Sequence, residues 1–440
     1  MLDTQASVGD GGLLSLLQDD TFWPAEPRSI EETGVSPVLI ETLISVYLSQ
    51  VGARTGRSIA EHLCLPFGIL EELLQSLRTR QMLVHCGHAP LNDYYYVLTK
   101  EGTELARSAR STCSYAGPVP VPLEDYAVSV DAQTIHAEAP KRQQLEQAFS
   151  DIVIEPDLFD SLGPAINSGA GLFLYGAPGN GKTTLARRIT GCFGQHVWVP
   201  RALIEDGHII KLFDPSVHEP AQDSDLSVLK TTCADRRWIK IRRPTVIVGG
   251  ELTMDSLEIR HDPVSNVSEA PLQLKSNCGC LLIDDFGRQR IEPAALLNRW
   301  IVPLENRCDF LTLASGKKFQ VPFELLIIFS TNLDPNDLTD EAFLRRIPYK
   351  IEVGNPSLAE FHRLFQATCR GFGCEYRPEV VDYLVTTQYH AMGRPLRRCH
   401  PRDLLTQVRN FCVYHSRPVE LRPEYFDNVV RSYFTKVGSK

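Results

Sequence analysis

The stretch from Gly171 to Thr184 constrains this chain more than any other. Gly171 to Tyr175 is an apolar run that passes without a break into Gly176-Ala177-Pro178-Gly179-Asn180-Gly181-Lys182-Thr183, followed by Thr184 and a helical pattern. The octapeptide fits G-x-x-x-x-G-K-[ST] at every position, in the strand-before, helix-after context that the pattern requires. Glycines let successive backbone N–H groups turn inward around a phosphate, and the following helix aims its N-terminus at the same anion. Such a loop predicts an α/β fold with a parallel sheet. Gly176, Pro178, Gly179, Asn180, Gly181, Lys182, Thr183 and Thr184 are the expected nucleotide-contacting residues, with Lys182 reaching the β and γ phosphates and Thr183 a magnesium ligand.

Two further apolar strands end in polar residues. Cys280 to Ile283 ends in Asp284-Asp285, and Leu325 to Phe329 ends in Ser330-Thr331-Asn332. Carboxylates at the C-terminal edge of a parallel sheet face the ligand crevice. Asp284 is therefore expected to hold magnesium through water, and Asp285 to prepare the attacking water. Downstream come Asp340-Glu341-Ala342-Phe343-Leu344-Arg345-Arg346-Ile347 and His400-Pro401-Arg402-Asp403-Leu404-Leu405.

In this order the motifs resemble the AAA+ ATPase superfamily over roughly residues 145 to 435. The resemblance implies that Asn332 is sensor 1, that Arg346 or its neighbour Arg345 is the arginine finger, and that Arg402 is sensor 2. It also implies ATP and Mg2+ as ligands and a homo-oligomer, usually a hexameric ring, with active sites at subunit interfaces. The alternating stretch Phe310 to Val321 about Gly316 reads as a β-hairpin, which is similar to the pre-sensor 1 hairpin superclade. Residues of about 200 to 278 resemble the insertions of MoxR-type and enhancer-binding-activator ATPases, although no GAFTGA sequence is present. One departure stands out, because the superfamily generally has Glu where this chain has Asp285. The carboxylate is one methylene shorter, so binding is better supported than fast turnover.

At 440 residues the chain exceeds one hydrophobic core, and a formal charge of -9 gives no general attraction to nucleic acid or anionic membrane. Twelve cysteines are scattered without a disulfide framework, which fits reduced thiols and a cytoplasmic location. No basic-then-apolar leader and no apolar run of bilayer length is present, so no membrane insertion is expected.

The predicted organisation is a flexible tail over 1–30, a winged helix-turn-helix over 31–112, a Pro-rich linker over 113–144, an α/β core over 145–350 and a helical lid over 351–440. The winged helix is read from a helix beginning at Pro37, a capping box Ser58-x-x-Glu61, a helix with its first turn at Pro66 and the stripe Ile69, Leu70, Leu73, Leu74, Leu77. Strands at Met82 to Val84 and Tyr94 to Leu98 complete it. Between Glu31 and Arg110 seven basic residues face nine acidic ones, and Glu71 and Glu72 lie near the start of the recognition helix. A protein client or adaptor is therefore favoured over nucleic acid for this module. In the insertion, Trp238 to Val248 and Leu252 to Ile259 read as strands. Arg236, Arg237, Lys240, Arg242 and Arg243 form the densest basic cluster, and a solvated strand face is favoured over a grip on an anionic partner.

Two functions remain open at this point. One is an AAA+ ATPase whose turnover remodels a macromolecular client. The other is a nucleotide-gated regulatory or DNA-binding protein in which ATP occupancy controls assembly and turnover is slow.

Overall fold

The computed structural model describes residues 22–135, 139–194, 196–221, 233–338 and 344–434. The motif residues Asp340 to Phe343 lie outside them, as does the tail up to residue 21. The chain forms two units whose pieces alternate along the sequence. The first comprises Met1–Ala139, Phe193–Leu281 and Leu296–Leu326, and the second Pro140–Cys192, Leu282–Ala295 and Ile327–Lys440.

The first unit begins with helices Pro37–Val51, Gly56–Leu63 and Phe67–Thr79 and an antiparallel sheet ordered Arg54–Thr55, Asp93–Leu98, Leu83–Ala89. Ser36 caps the first helix by accepting from Leu39 N, with Pro37 in its first turn. The expected stripe Ile69, Leu70, Leu73, Leu74 and Leu77 is buried. The expected capping box is displaced, since the second helix starts at Gly56 with Thr55 as its cap. Buried Asp93 explains the earlier start, accepting from Gly56 N at 3.1 Å and Arg57 N at 2.9 Å.

Three expectations in this unit are revised. The Pro-rich segment does not act as a free connector. Val119 and Val121 are buried, and Val121–Pro122 pairs in parallel with Ala202–Glu205, as an edge strand tolerates proline. The basic cluster is a solvated face only in part: Arg236 and Arg242 are exposed, whereas Arg237 and Arg243 are buried. Arg237 is 3% exposed, forks onto Asp235 and donates to Thr33 O at 2.7 Å. Arg243, also buried, donates to Gln133 O at 2.9 Å and Cys278 O at 2.7 Å. Lys240 lies over the Trp198 ring, Arg236 donates to Leu65 O, and Arg242 pairs with Glu219. Arg236, Arg237 and Arg243 thereby tie the insertion to the N-terminal helices and to the strands around it. Finally, the segment expected as a strand after Gly250 is a 3-10 turn, Met254–Leu257. The end of the tail is also placed: the Trp23 ring meets Trp198 edge-on, and Ala25 bridges Ala234.

A five-stranded sheet in this unit runs Arg260–Asp262, Val267–Glu269, His208–Lys211, Ala202–Glu205, Val121–Pro122. His196–Pro200 pairs antiparallel with Trp238–Arg242, so the strand after the glycine-loop helix does not continue the parallel sheet. The expected hairpin is present as Cys308–Thr312 against Lys318–Pro322. All twelve cysteines are free thiols, and no described helix is long and apolar enough to cross a membrane.

Strands Cys280–Ile283, Leu326–Thr331, Leu172–Tyr175 and Tyr349–Glu352 lie side by side in that order, all but Cys280, Leu281 and Leu326 within the second unit. The last two strands pair in parallel, and Leu326–Thr331 pairs in parallel with Leu172–Tyr175. Every residue of the strands ending in Ile283 and Thr331 is buried, as befits a parallel sheet covered on both faces. The Lys182–Ile189 helix follows the glycine loop. Four C-terminal helices, Leu358–Phe372, Pro378–Leu384, His400–Tyr414 and Pro423–Tyr433, form a lid around Phe361, Phe365, Leu384, Leu404, Leu405 and Phe426. The fold is thus α/β, a P-loop parallel sheet followed by a helical lid.

Candidate functional site

Backbone shape comes first. Gly176 has φ +133°, and a Cβ there would stand 2.6 Å from Val353 O. Gly179 has φ +81°, and its Cβ would stand 2.6 Å from Cys399 Sγ. Only glycine fits where the loop meets its neighbours this closely in a left-handed conformation. No side chain caps the helix that begins at Lys182, so its first N–H groups remain available to an anion.

Five of the residues expected from sequence converge. Lys182, 6% exposed, donates from Nζ to Gly176 O at 2.8 Å, Ala177 O at 3.2 Å and Asn332 Oδ1 at 2.7 Å. Asn332 in turn donates from Nδ2 to Asp285 Oδ1 at 3.1 Å. Thr183 Oγ1 donates to Asp284 Oδ2 at 2.8 Å. The two strand ends and the loop are thereby joined across one edge of the sheet. Burial pushes the Lys182 ammonium below the usual lysine range; Asp284 and Asp285 oppose this and Arg397 adds to it.

Asp285 has φ +51°, a left-handed conformation reached at the strand end. Aspartate and asparagine tolerate that region because a short polar side chain can hydrogen-bond locally. Here the Asp285 amide donates to Asp284 Oδ1 at 3.1 Å. Gln289, not foreseen from sequence, braces the turn by donating to Asp284 O at 2.9 Å and accepting from Gly287 N at 2.8 Å.

The donors suit a small hard cation. The Thr183 hydroxyl and the Asp284 carboxylate, adjacent to each other, are the oxygen donors that would hold it, directly or through water. Among the described residues no group of three or more His, Cys, Asp or Glu could cage an ion alone, so phosphate oxygens and water would complete the shell.

The remaining expected residues are distributed unevenly. Pro178 and Thr184 are exposed on the loop and on the first turn of its helix. Arg345 is exposed and Arg346 half-buried, just before strand Tyr349–Glu352. Arg402 is not brought to the loop. Its side chain is 75% exposed and pairs with Asp403 at 3.5 Å. The lid helix begins at His400, and the residues that reach the loop come immediately before it. Cys399 N donates to Gly179 O at 2.9 Å, and Arg397 donates to Asn355 Oδ1 while its charge acts on Lys182. Asn180 is 1% exposed and donates to Val353 O at 3.2 Å and Asn355 Oδ1 at 3.0 Å. Arg398 pairs with Glu360, whose carboxyl is pushed up to about 7 by burial against the pull of Arg398. Sequence reading missed Arg397 and Asn355, although the pair Arg397-Arg398 next to a helix start was a visible signal.

A family described as a domain of unknown function (DUF8689) matches residues 357–432, the lid helices. No curated protein matches the sequence. Among solved structures, NtrX from Brucella abortus is similar over 67% of this chain and 58% of its own, at 13% identity and TM-score 0.40. NtrX in complex with ATP is similar over 62% and 56%, at 13% identity and TM-score 0.37. A single-residue mutant of RuvB from Thermotoga maritima is similar over 64% and 70%, at 11% identity and TM-score 0.38. The chain spans less than two thirds of the length of the NtrX chains it resembles.

Proposed function

We propose that this protein is an ATPase that binds Mg-ATP at the glycine loop and hydrolyses it. The observation that carries this reading is the convergence of Lys182, Asn332 and Asp285, with Thr183 beside Asp284. Phosphoryl transfer needs little covalent help and much positioning and charge neutralisation. In this reading Lys182 and the loop N–H groups hold the β and γ phosphates. Thr183 and Asp284 would hold magnesium, which would supply charge neutralisation at the phosphates. Asp285 orients the attacking water, and Asn332 fixes Asp285 relative to Lys182. Arg397 replaces Arg402 as the lid arginine that meets the terminal phosphate, because it lies beside the loop and Arg402 is solvated.

Arg346 or Arg345 would act on the nucleotide of a neighbouring copy in a homo-oligomer, a hexameric ring by resemblance. The three N-terminal helices and their hairpin are read as a winged helix that recruits a protein client or adaptor, and turnover would remodel that client. The second reading, slow turnover with nucleotide occupancy controlling assembly, is favoured by one observation. Asp285 is held short and is already engaged by Asn332.

A steady-state phosphate-release assay separates the two. Wild type, Lys182→Ala and Arg346→Ala are compared across protein concentration. Turnover that rises with assembly and is lost in both variants supports the ATPase. Nucleotide binding without turnover under assembling conditions favours the gated reading.

A further inference from the structure

The glycine-loop pattern leaves the residue at position 180 open, yet Asn180 is buried and its amide is fully committed. Both Nδ2 hydrogens are used, on Val353 O and Asn355 Oδ1, and Oδ1 faces Arg398 N at 3.5 Å. None of these bonds points to a phosphate. They run instead to Val353-Gly354-Asn355-Pro356, the segment joining strand Tyr349–Glu352 to lid helix Leu358–Phe372, and to the residues before lid helix His400–Tyr414.

Asn355 is where these contacts meet. Its side-chain oxygen has two acceptor sites. One takes Asn180 Nδ2 and the other takes the Arg397 guanidinium. Arg397 therefore has its direction set by an amide anchored to the loop, with its charge felt at Lys182. A guanidinium held beside the loop favours a ligand with more charge at the far end of its phosphate chain.

We infer that Asn355 is a positioning residue: by holding Arg397 beside the loop, it makes the site prefer a nucleoside triphosphate over a diphosphate. The inference rests on the nucleotide-binding reading above. Asn355 touches neither phosphate nor reacting atoms and acts through Arg397. Its side chain is exposed on a connecting segment, so its loss leaves the fold standing.

The test is calorimetric titration of the full chain with magnesium and either ADP or a slowly hydrolysed ATP analogue. Wild type, Asn355→Ala, Arg397→Ala and the double variant form a cycle. Wild type prefers the triphosphate. Asn355→Ala loses about tenfold of that preference, the scale of one charge-assisted hydrogen bond, while ADP affinity stays within about twofold. The double variant matches Arg397→Ala, because Asn355 has nothing left to act through. Equal losses for both nucleotides, an unchanged ratio in Asn355→Ala, or a further loss in the double variant each overturn the inference. So does a wild type that binds both nucleotides alike. A wild type that binds neither nucleotide overturns the nucleotide-binding reading itself, and is distinguished by that result.

Discussion

Replacing His400 by glutamine should remove a pH dependence that the lid carries at its junction with the glycine loop. His400 is the first residue of helix His400–Tyr414, is 8% exposed, and its Nδ1 lies 2.9 Å from the Tyr389 hydroxyl. Burial pushes its imidazole from 6.5 down to about 4, with Arg397 adding and Asp403 opposing. A cation at a helix N-terminus is also disfavoured by the helix dipole. The folded value lies below the unfolded one, so the unfolded chain takes up this proton first as pH falls. Stability is therefore full above 6.5 and is lost as pH drops toward 4. A difference of about 2.5 units at about 1.4 kcal/mol each sets a total near 3 kcal/mol, of which roughly 2 kcal/mol is gone by about pH 5.

All four tryptophans lie in the first unit, so fluorescence does not report on the lid. The appropriate assay is amide hydrogen exchange of residues 400–414 from about pH 7 to 5, corrected for intrinsic rates, in wild type and His400→Gln. Glutamine keeps an acceptor for the Tyr389 hydroxyl. Glu360, pushed up to about 7, has the opposite sign, stabilising below 4.5 and losing that contribution as pH rises through 7. It is present in both proteins and drops out of the difference. Wild-type protection should fall by about 2 kcal/mol more than that of the variant. Parallel pH profiles would refute the account of His400.

Three other perturbations test different parts of the structure. Thr183→Val removes a hydroxyl bonded to Asp284, so magnesium should strengthen ATP binding by about tenfold less than in wild type; an equal magnesium effect would contradict the ligand assignment. Arg237→Met leaves Asp235 buried and unpaired, and urea unfolding followed by tryptophan fluorescence should show a loss of roughly 3 to 5 kcal/mol, whereas a surface cation would cost almost nothing. Gly102→Ala lies inside helix Lys100–Thr112, where alanine normally gains nearly 1 kcal/mol, but its Cβ would stand 2.1 Å from Met82 O; the same assay should report a net loss of roughly 1 to 3 kcal/mol, and a gain would contradict the packing.

What was legible in the sequence was what short-range pattern encodes. The strand ending at Tyr175, the glycine loop, and the acid and amide at the ends of two other buried strands all stand in the structure where the spacing put them, because each is fixed by its own strand. Arg402 and the two buried arginines of the basic cluster departed from expectation for a different reason. Whether an arginine reaches the loop depends on where its helix starts, and His400 as the first residue leaves Arg397 on the loop side. Whether Arg237 is solvated depends on Thr33, Pro120 and Asp235, and two of these are more than a hundred residues away. The proline run was misread because its valines alternate into a core contributed by Ala202–Glu205, and local composition cannot reveal that pairing.

Lys182, held by the loop and by Asn332, is proposed to bind the phosphates of ATP. The most direct test is a calorimetric titration of the full chain with ATP and magnesium, comparing wild type with Lys182→Ala. Saturation at one nucleotide per chain, weakened by at least about tenfold in the variant, is the predicted result. Equal affinity in the two proteins, or no binding to wild type, would contradict it.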